Sequence, residues 1–544
     1  MRVFLPCLQF VLLGALFSAC ASQATLTGGP KDETPPEMVS CKPSANSTQY
    51  EGNKVELAFN EFFTLNSPND SIRINPPLSK KPTYNIKGKK LQILFKEPLQ
   101  PGTTYCITLD GAIRDITEGN RMPAQSVVFS TGEQLDSLQL QGYAYDAFTR
   151  KPASKAVVVL YSQPNDSNPQ KNAASYFTLT DRNGFFSFPH LPDQSYQVFA
   201  IEDHNNNRRY DLPDEKIAFL PQNAPVRPTA DTLALFLFKE REPQTRVMYT
   251  GSFAQGGHLL VFSQAVDTFA LTDMESRILP YAAFWNNEWD SVRIYFTDTT
   301  LQSKESYLLH LDGTIADTLT LTPYAASGTE AAIPIAFKAN APDKVEKDSL
   351  FRITFNYPLQ WADTNAFTLI QTGKNDTDTV HSVPVRCHRN SLQLLVPLQT
   401  KRNYLLTATD SSCRLYNGQY NDSLHFSFSM KGEKEYGRLL FRLQFPQKAD
   451  YLLQLTDAKT DRPLYSRYIS KEDLPDNLQK EADFPSLKEH TYRLRVILDS
   501  NANGKWDAGQ YRQHLQAEAV FYSSRQWESK KQWTIEETIE IKFE

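Results

Sequence analysis

The sequence predicts an all-β protein, a series of tandem β-sandwich units behind an N-terminal export signal. Three observations lead there. Apolar residues alternate with polar ones through many short runs: Val55, Leu57 and Phe59; Leu91, Ile93 and Phe95; Tyr105, Ile107 and Leu109. A period of two buries one face of a strand and leaves the other wet. The chain also holds 33 Pro and 25 Tyr, and long helical patterns are scarce. Finally, Phe188, Tyr196, Asp203 and Asp211 stand at one common offset from Phe484, Tyr492, Asp499 and Asp507. Agreement without a gap indicates a duplicated unit.

At 544 residues the chain exceeds what one core accommodates, and 40% hydrophobic with 12% aromatic residues describes folded domains. Its formal charge is −5, from 57 basic and 62 acidic residues. That balance lacks the basic footprint of a nucleic-acid binder, so nucleic acid is excluded as the main partner.

The N-terminus has the layout of a secretory signal: Arg2, an apolar run over 3–17, then Ser18-Ala19-Cys20. The run is too short for a good membrane-spanning helix. Ser18-Ala19-Cys20 resembles a bacterial lipobox, with Phe17 where an aliphatic residue is usual. The resemblance implies a signal over 1–19 and a lipid on Cys20, which would become the mature N-terminus. The alternative is an ordinary signal peptide with an incidental cysteine. A turn-rich tether follows over 20–35, containing Gly28-Gly29-Pro30-Lys31-Asp32-Glu33-Thr34-Pro35-Pro36. This stretch resembles a family of Bacteroidota lipoproteins that carry a bacterial Ig-like domain. In that phylum surface export goes with an acidic cluster after the lipidated cysteine. Residues 21–24 are uncharged, so the resemblance implies the periplasmic face of the outer membrane.

Five units are expected after the tether. Over 36–132, Phe59-Asn60-Glu61, Leu99-Gln100-Pro101-Gly102-Thr103-Thr104-Tyr105, Asp115, Asn120 and Phe129-Ser130-Thr131-Gly132 resemble the bacterial Ig-like domains of surface-layer proteins. Over 136–242, Thr180-Asp181-Arg182-Asn183-Gly184-Phe185-Phe186-Ser187-Phe188 contains a strong hairpin signal in Asn183-Gly184. With Leu191 and Tyr196 it resembles the prealbumin-like sandwiches of collagen-adhesin B-type and carboxypeptidase-regulatory-like domains. In those families the domain is a stalk or accessory module. Residues 244–340 read as a divergent Ig-like or other β-sandwich. The first two units then recur: 341–432 as Ig-like, where Phe351, Ile353 and Phe355 match Val55, Leu57 and Phe59, and 435–544 as prealbumin-like.

The duplicated loops are the leading site candidates. Asp203, Asn205, Asn207 and Asp211, with Asp214 as a closing carboxylate, present oxygens at the alternate positions that a calcium loop uses. Asp499, Asn501, Asn503 and Asp507 form the second set, with neutral Gln510 in the closing place. Arg208 occupies the glycine position that Gly504 keeps in the second copy. Two readings stand: a structural calcium that stiffens a domain junction, or an Asx-type turn in which Asp and Asn bond their own backbone.

With Cys7 in the signal and Cys20 lipidated, Cys41, Cys106, Cys387 and Cys413 remain, and sequence allows three pairings. Pairing within a unit joins Cys41 to Cys106 and Cys387 to Cys413. Four buried free thiols are the alternative. Trp285 and Trp289 flank a polar Asn286-Asn287-Glu288 stretch and either stack on a glycan or pack as core and edge residues. No metalloprotease, serine-hydrolase, phosphate-loop or Cys-x-x-Cys signature occurs. The expectation is a non-enzymatic lipoprotein, held to the membrane through Cys20, that scaffolds or binds another envelope protein. The alternative is capture of a glycan or peptidoglycan.

Overall fold

The structure is a computed structural model, and it describes residues 32–228, 232–242, 244–253, 257–286, 289–296, 305–321, 335–340, 343–347, 349–416 and 418–543. Strands dominate throughout. Among the described residues the α-helical element is the single turn Pro68–Ser71. No helix there is long and apolar enough to cross a membrane, which says nothing of membrane-crossing strands. Cys20 and its apolar leader lie outside the described residues.

In the first unit, Lys54–Phe59 sits between Met38–Lys42 and Lys90–Leu94, and Thr83–Lys87 completes a four-stranded antiparallel sheet. Val55 and Leu57 are fully buried because every second side chain points inward. Ile72–Asn75, Thr104–Leu109 and Gln125–Ser130 form the facing sheet, and Tyr105, Ile107 and Phe129 close the same core. The Tyr105 hydroxyl accepts the Gln100 N–H at 2.9 Å, which fixes the turn leading into the strand. The fourth unit repeats the order. Arg352–Phe355 lies between Phe337–Ala339 and Ser391–Leu394, and the Tyr404 hydroxyl accepts the Gln399 N–H at 2.6 Å.

A different topology marks the second and fifth units. Leu138–Asp146 pairs antiparallel with Phe185–Leu191 and parallel with the closing strand Thr232–Leu237. Gly437–Gln444 does the same with Gln479–Leu487 and Thr534–Glu540. The close approach explains Gly142: a Cβ there would lie 2.3 Å from the Leu233 carbonyl oxygen. Phe188 and Phe484 hold matching core positions, as do Tyr196 and Tyr492. Residues 247–321 form a further sandwich. Val247–Phe253, Gly257–Phe262, Ser291–Phe296 and Tyr281–Trp285 make one sheet, and Phe269–Thr272, Glu305–Leu311 and Thr314–Leu321 make the other.

One sheet of the second unit departs from simple alternation. All five residues of Val157–Tyr161 are buried. Val158 and Leu160 face the unit's own core, whereas Val157, Val159 and Tyr161 face outward with Phe199, Ile201 and Phe219. A strand covered on both faces reads as an unbroken apolar run. Its outer cover comes from the C-terminal unit, whose Tyr511 enters this cluster with Trp506 and Ala517 at its margin. The chain therefore folds back on itself, with its last unit docked against its second.

In this structure Cys41, Cys106, Cys387 and Cys413 are all free thiols, not the expected pairs. Strand alternation gives the reason for the first pair. Cys41 packs against the sandwich core, but Cys106 falls between inward Tyr105 and Ile107 and points out of it, its sulfur 3.8 Å from Thr108 Oγ1. Cys387 and Cys413 do face one core and remain thiols. Burial pushes the Cys413 thiol up to about 12.

Candidate functional site

The duplicated loops leave equivalent strands: Asp203 follows Ser195–Ile201 and Asp499 follows His490–Leu498. Each aspartate caps the turn ahead of it. Asp203 accepts the N–H of Arg208 at 2.7 Å and of Asn207 at 3.3 Å. Asp499 accepts that of Gly504 at 2.6 Å and of Asn503 at 3.1 Å. The asparagines then turn their amides onto the last aspartate. Asn205 and Asn207 donate to Asp211 at 3.1 and 2.6 Å, and Asn501 and Asn503 both donate to Asp507 at 2.6 Å. These bonds satisfy the carboxylates from within, as Asx-type turns do. Among the described residues no group of three His, Cys, Asp or Glu side chains is arranged to hold a metal. In this structure the loop carboxylates and carboxamides therefore close each turn on itself, the Asx-type arrangement.

A buried glutamate completes each loop where Asp214 was expected. Glu215 is fully buried, and its carboxylate accepts the N–H groups of Asp211 and Leu212, both at 3.0 Å, and of His204 at 3.2 Å. Glu518 plays this part in the second copy, accepting the N–H of Ser500 at 2.7 Å and of Asp507 at 3.0 Å. Burial nevertheless raises the Glu518 carboxyl above its ordinary range. Asp214 lies at the surface, 3.0 Å from His204 Nδ1.

Both loops sit at junctions between units. Arg208 adopts φ +60°, a left-handed backbone that costs a non-glycine residue about 1–2 kcal/mol. Its guanidinium lies 3.7 Å from the centroid of Phe177, whose backbone N–H and carbonyl both bond the Asn75 side chain of the first unit. That stacking accounts for an arginine in a glycine's place. In the second loop, Lys505 reaches Asp267 of the middle unit at 3.1 Å.

The tryptophans form a graded stack. Trp285 packs against Phe262 and Phe269 at 5.8 and 5.4 Å, a core role. Trp289 lies over it at 5.3 Å, with planes 22° apart, and stays 47% exposed. Asn287 and Glu288, the hydroxyl-binding partners in the glycan reading, lie outside the described residues.

Sequence reasoning missed the contact that joins the last unit to the second, the seat of Tyr511. Its N–H donates to Glu240 at 2.6 Å, and its hydroxyl donates to the carbonyls of Asn168 and, at 3.2 Å, Asp166. Gln516 Nε2 adds a bond to the Phe219 carbonyl at 3.0 Å, and Phe148 packs on Trp506 at 4.9 Å. Lys151 and Asp461 pair across the same junction at 2.9 Å. The available signal was the unbroken apolar run Val157-Val158-Val159-Leu160-Tyr161, which called for a cover on each side.

No curated protein matches the chain. The major pilin subunit BcpA of Bacillus cereus is 9% identical, with 75% of this chain and 99% of that chain covered and a TM-score of 0.15. Domains 1–6 of the surface-layer protein SbsC give 10% identity over 91% of this chain and 67% of that chain, with a TM-score of 0.14. A fragment of Escherichia coli alpha-2-macroglobulin spanning MG0-NIE-MG1 gives 12%, 53% and 97%, again with a TM-score of 0.14. The sequence match is more local: residues 32–131 fit the bacterial Ig-like domain family, so the first sandwich is a bacterial Ig-like domain.

Proposed function

We propose that this chain is a non-enzymatic lipoprotein, held through Cys20 at the periplasmic face of the outer membrane, that serves as an envelope scaffold for another protein. The observation that carries the reading is the docking of the last unit on the second. It engages side chains from both units in one buried aromatic cluster, an arrangement suited to holding a shape. The polar constellations fit the same role. The loop carboxylates cap backbone N–H groups, and desolvation raises the thiols of Cys106, Cys387 and Cys413, which disfavours their nucleophilic thiolates. The Ig-like domain is a sandwich module of a kind that recurs in many cell-surface proteins.

The test is cellular. Cys20→Ser should abolish incorporation of labelled palmitate and move the protein from the outer-membrane fraction to the soluble periplasm. In-cell crosslinking of the unmodified protein should then recover one recurrent envelope partner. Palmitate labelling that survives Cys20→Ser would refute the anchor. Sedimentation with purified peptidoglycan and no protein partner would replace the scaffold with the glycan-binding alternative.

A further inference from the structure

The fold-back creates an open cleft of about 990 Å³ whose walls come from the second, middle and C-terminal units. Its carboxylates are already engaged. Glu240 accepts the Tyr210 hydroxyl and the Tyr511 N–H, each at 2.6 Å. Asp267 pairs with Arg241 at 2.9 Å and Lys505 at 3.1 Å, and Glu242 holds Arg246 through two bonds near 3 Å. Asp312 takes the Thr245 hydroxyl and two backbone N–H groups, while Asp211 takes its loop carboxamides.

The opposite balance holds for the donors. Lys171 of the second unit and Arg512 of the C-terminal unit line the cleft and make no side-chain hydrogen bond or ion pair among the described residues, although the Arg512 charge also acts on Tyr210. The carboxamides of Gln170, Gln510 and Gln513 are likewise uncommitted there. The cleft thus offers two cations outside any ion pair and three groups that each donate and accept. Leu212 and Pro213 add a small apolar surface.

We propose that this cleft binds a carboxylate-bearing saccharide. Lys171 and Arg512 would receive the carboxylate, the guanidinium through its fork. Carboxamides complement hydroxyls because both partners give and take hydrogen bonds. The volume lies at the upper end of ordinary small-ligand sites. An acidic peptide is the poorer fit: none of the lining residues lies in a strand, so no sheet edge is available to extend. The site rests on neither the lipid anchor nor the scaffold role, and it is separate from the Trp285–Trp289 stack.

The experiment is calorimetry on the full mature chain with four probes. They are N-acetylglucosaminyl-N-acetylmuramic acid, its twin N,N′-diacetylchitobiose (below, chitobiose) that lacks the lactyl carboxylate, trigalacturonate, and pentaglutamate. At least one of the two acidic saccharides should bind saturably, and which one does separates a muramyl from a uronate source. Chitobiose should bind about tenfold more weakly or not at all, the loss of one charge-assisted contact. Arg512→Gln and Lys171→Gln should each weaken acidic-saccharide binding about tenfold with the thermal midpoint unchanged, since both side chains are exposed. Equal binding of chitobiose, tighter binding of pentaglutamate, indifference to both substitutions, or no saturable heat from any probe at millimolar concentration would overturn the proposal.

Discussion

Tyr511 meets Phe199 edge to face, ring centroids 5.5 Å apart and planes at 89°, although the two residues belong to different sandwiches. Phe219 approaches the same ring at 5.5 Å, and only 3% of Tyr511 remains exposed. Removing a buried aromatic of this size costs about 3–5 kcal/mol. Tyr511→Ala should therefore lower stability by about that amount, and amide exchange should accelerate in Val157–Tyr161 and Ile217–Phe219. Tyr511→Phe should cost about 1–3 kcal/mol, because it leaves the Asn168 carbonyl without its donor. Unchanged exchange in both strands of the alanine variant would show that the docking is not maintained in solution.

The loop chemistry makes a separate prediction. If amides close each turn, Asp507→Ala should destabilise the chain by about 1.5–3 kcal/mol in chelator, because Asn501 and Asn503 lose a charged acceptor. A calcium titration of the unmodified chain should give no saturable heat. A saturable site that disappears in Asp203→Ala or Asp499→Ala would restore the metal reading.

For the thiols, peptide mapping without reductant should find no Cys41–Cys106 linkage even after mild oxidation, since the two side chains face different sides of their sandwich. Cys413 should resist alkylation until the fourth unit unfolds, given its burial and a pKa near 12. Rapid labelling of Cys413 in the native protein would contradict this packing.

Asp457 supplies a pH signature. The N–H groups of Thr460 and Lys459 hold its carboxyl down to about 2 from an ordinary 3.8, and His490 Nε2 lies 2.7 Å away. A depressed folded value stabilises the fold above the unfolded pKa, and that contribution fades as pH falls through the folded one. Asp457→Asn should thus be less stable than the parent at neutral pH, with the gap closing between about pH 4 and pH 2. Urea midpoints across that range provide the measurement. A gap of constant size would assign the effect to something other than this titration.

Alternation made the sandwich strands legible, because Val55, Leu57 and Phe59 point one way by geometry alone. The same rule would have set Cys106 outside the core, between inward Tyr105 and Ile107. Tyr511 was hidden for the opposite reason. Gln510, Arg512 and Gln513 surround it, so no local pattern marks it as buried, and its partners lie hundreds of residues away. Glu215 and Glu518 escaped because they stand at different distances from Asp203 and Asp499, and an ungapped repeat conceals an equivalence carried across unequal loops.

The seat of Tyr511 also decides how the molecule would carry tension. With the fifth unit fastened to the second, a pull between the chain's two ends bypasses the third and fourth units and loads that junction first. Its release would pay out the slack stored in two still-folded sandwiches before any core ruptured. The Tyr511 contact is in this sense a mechanical fuse, one that lets the folded chain lengthen under strain and shorten again when the ring finds its place.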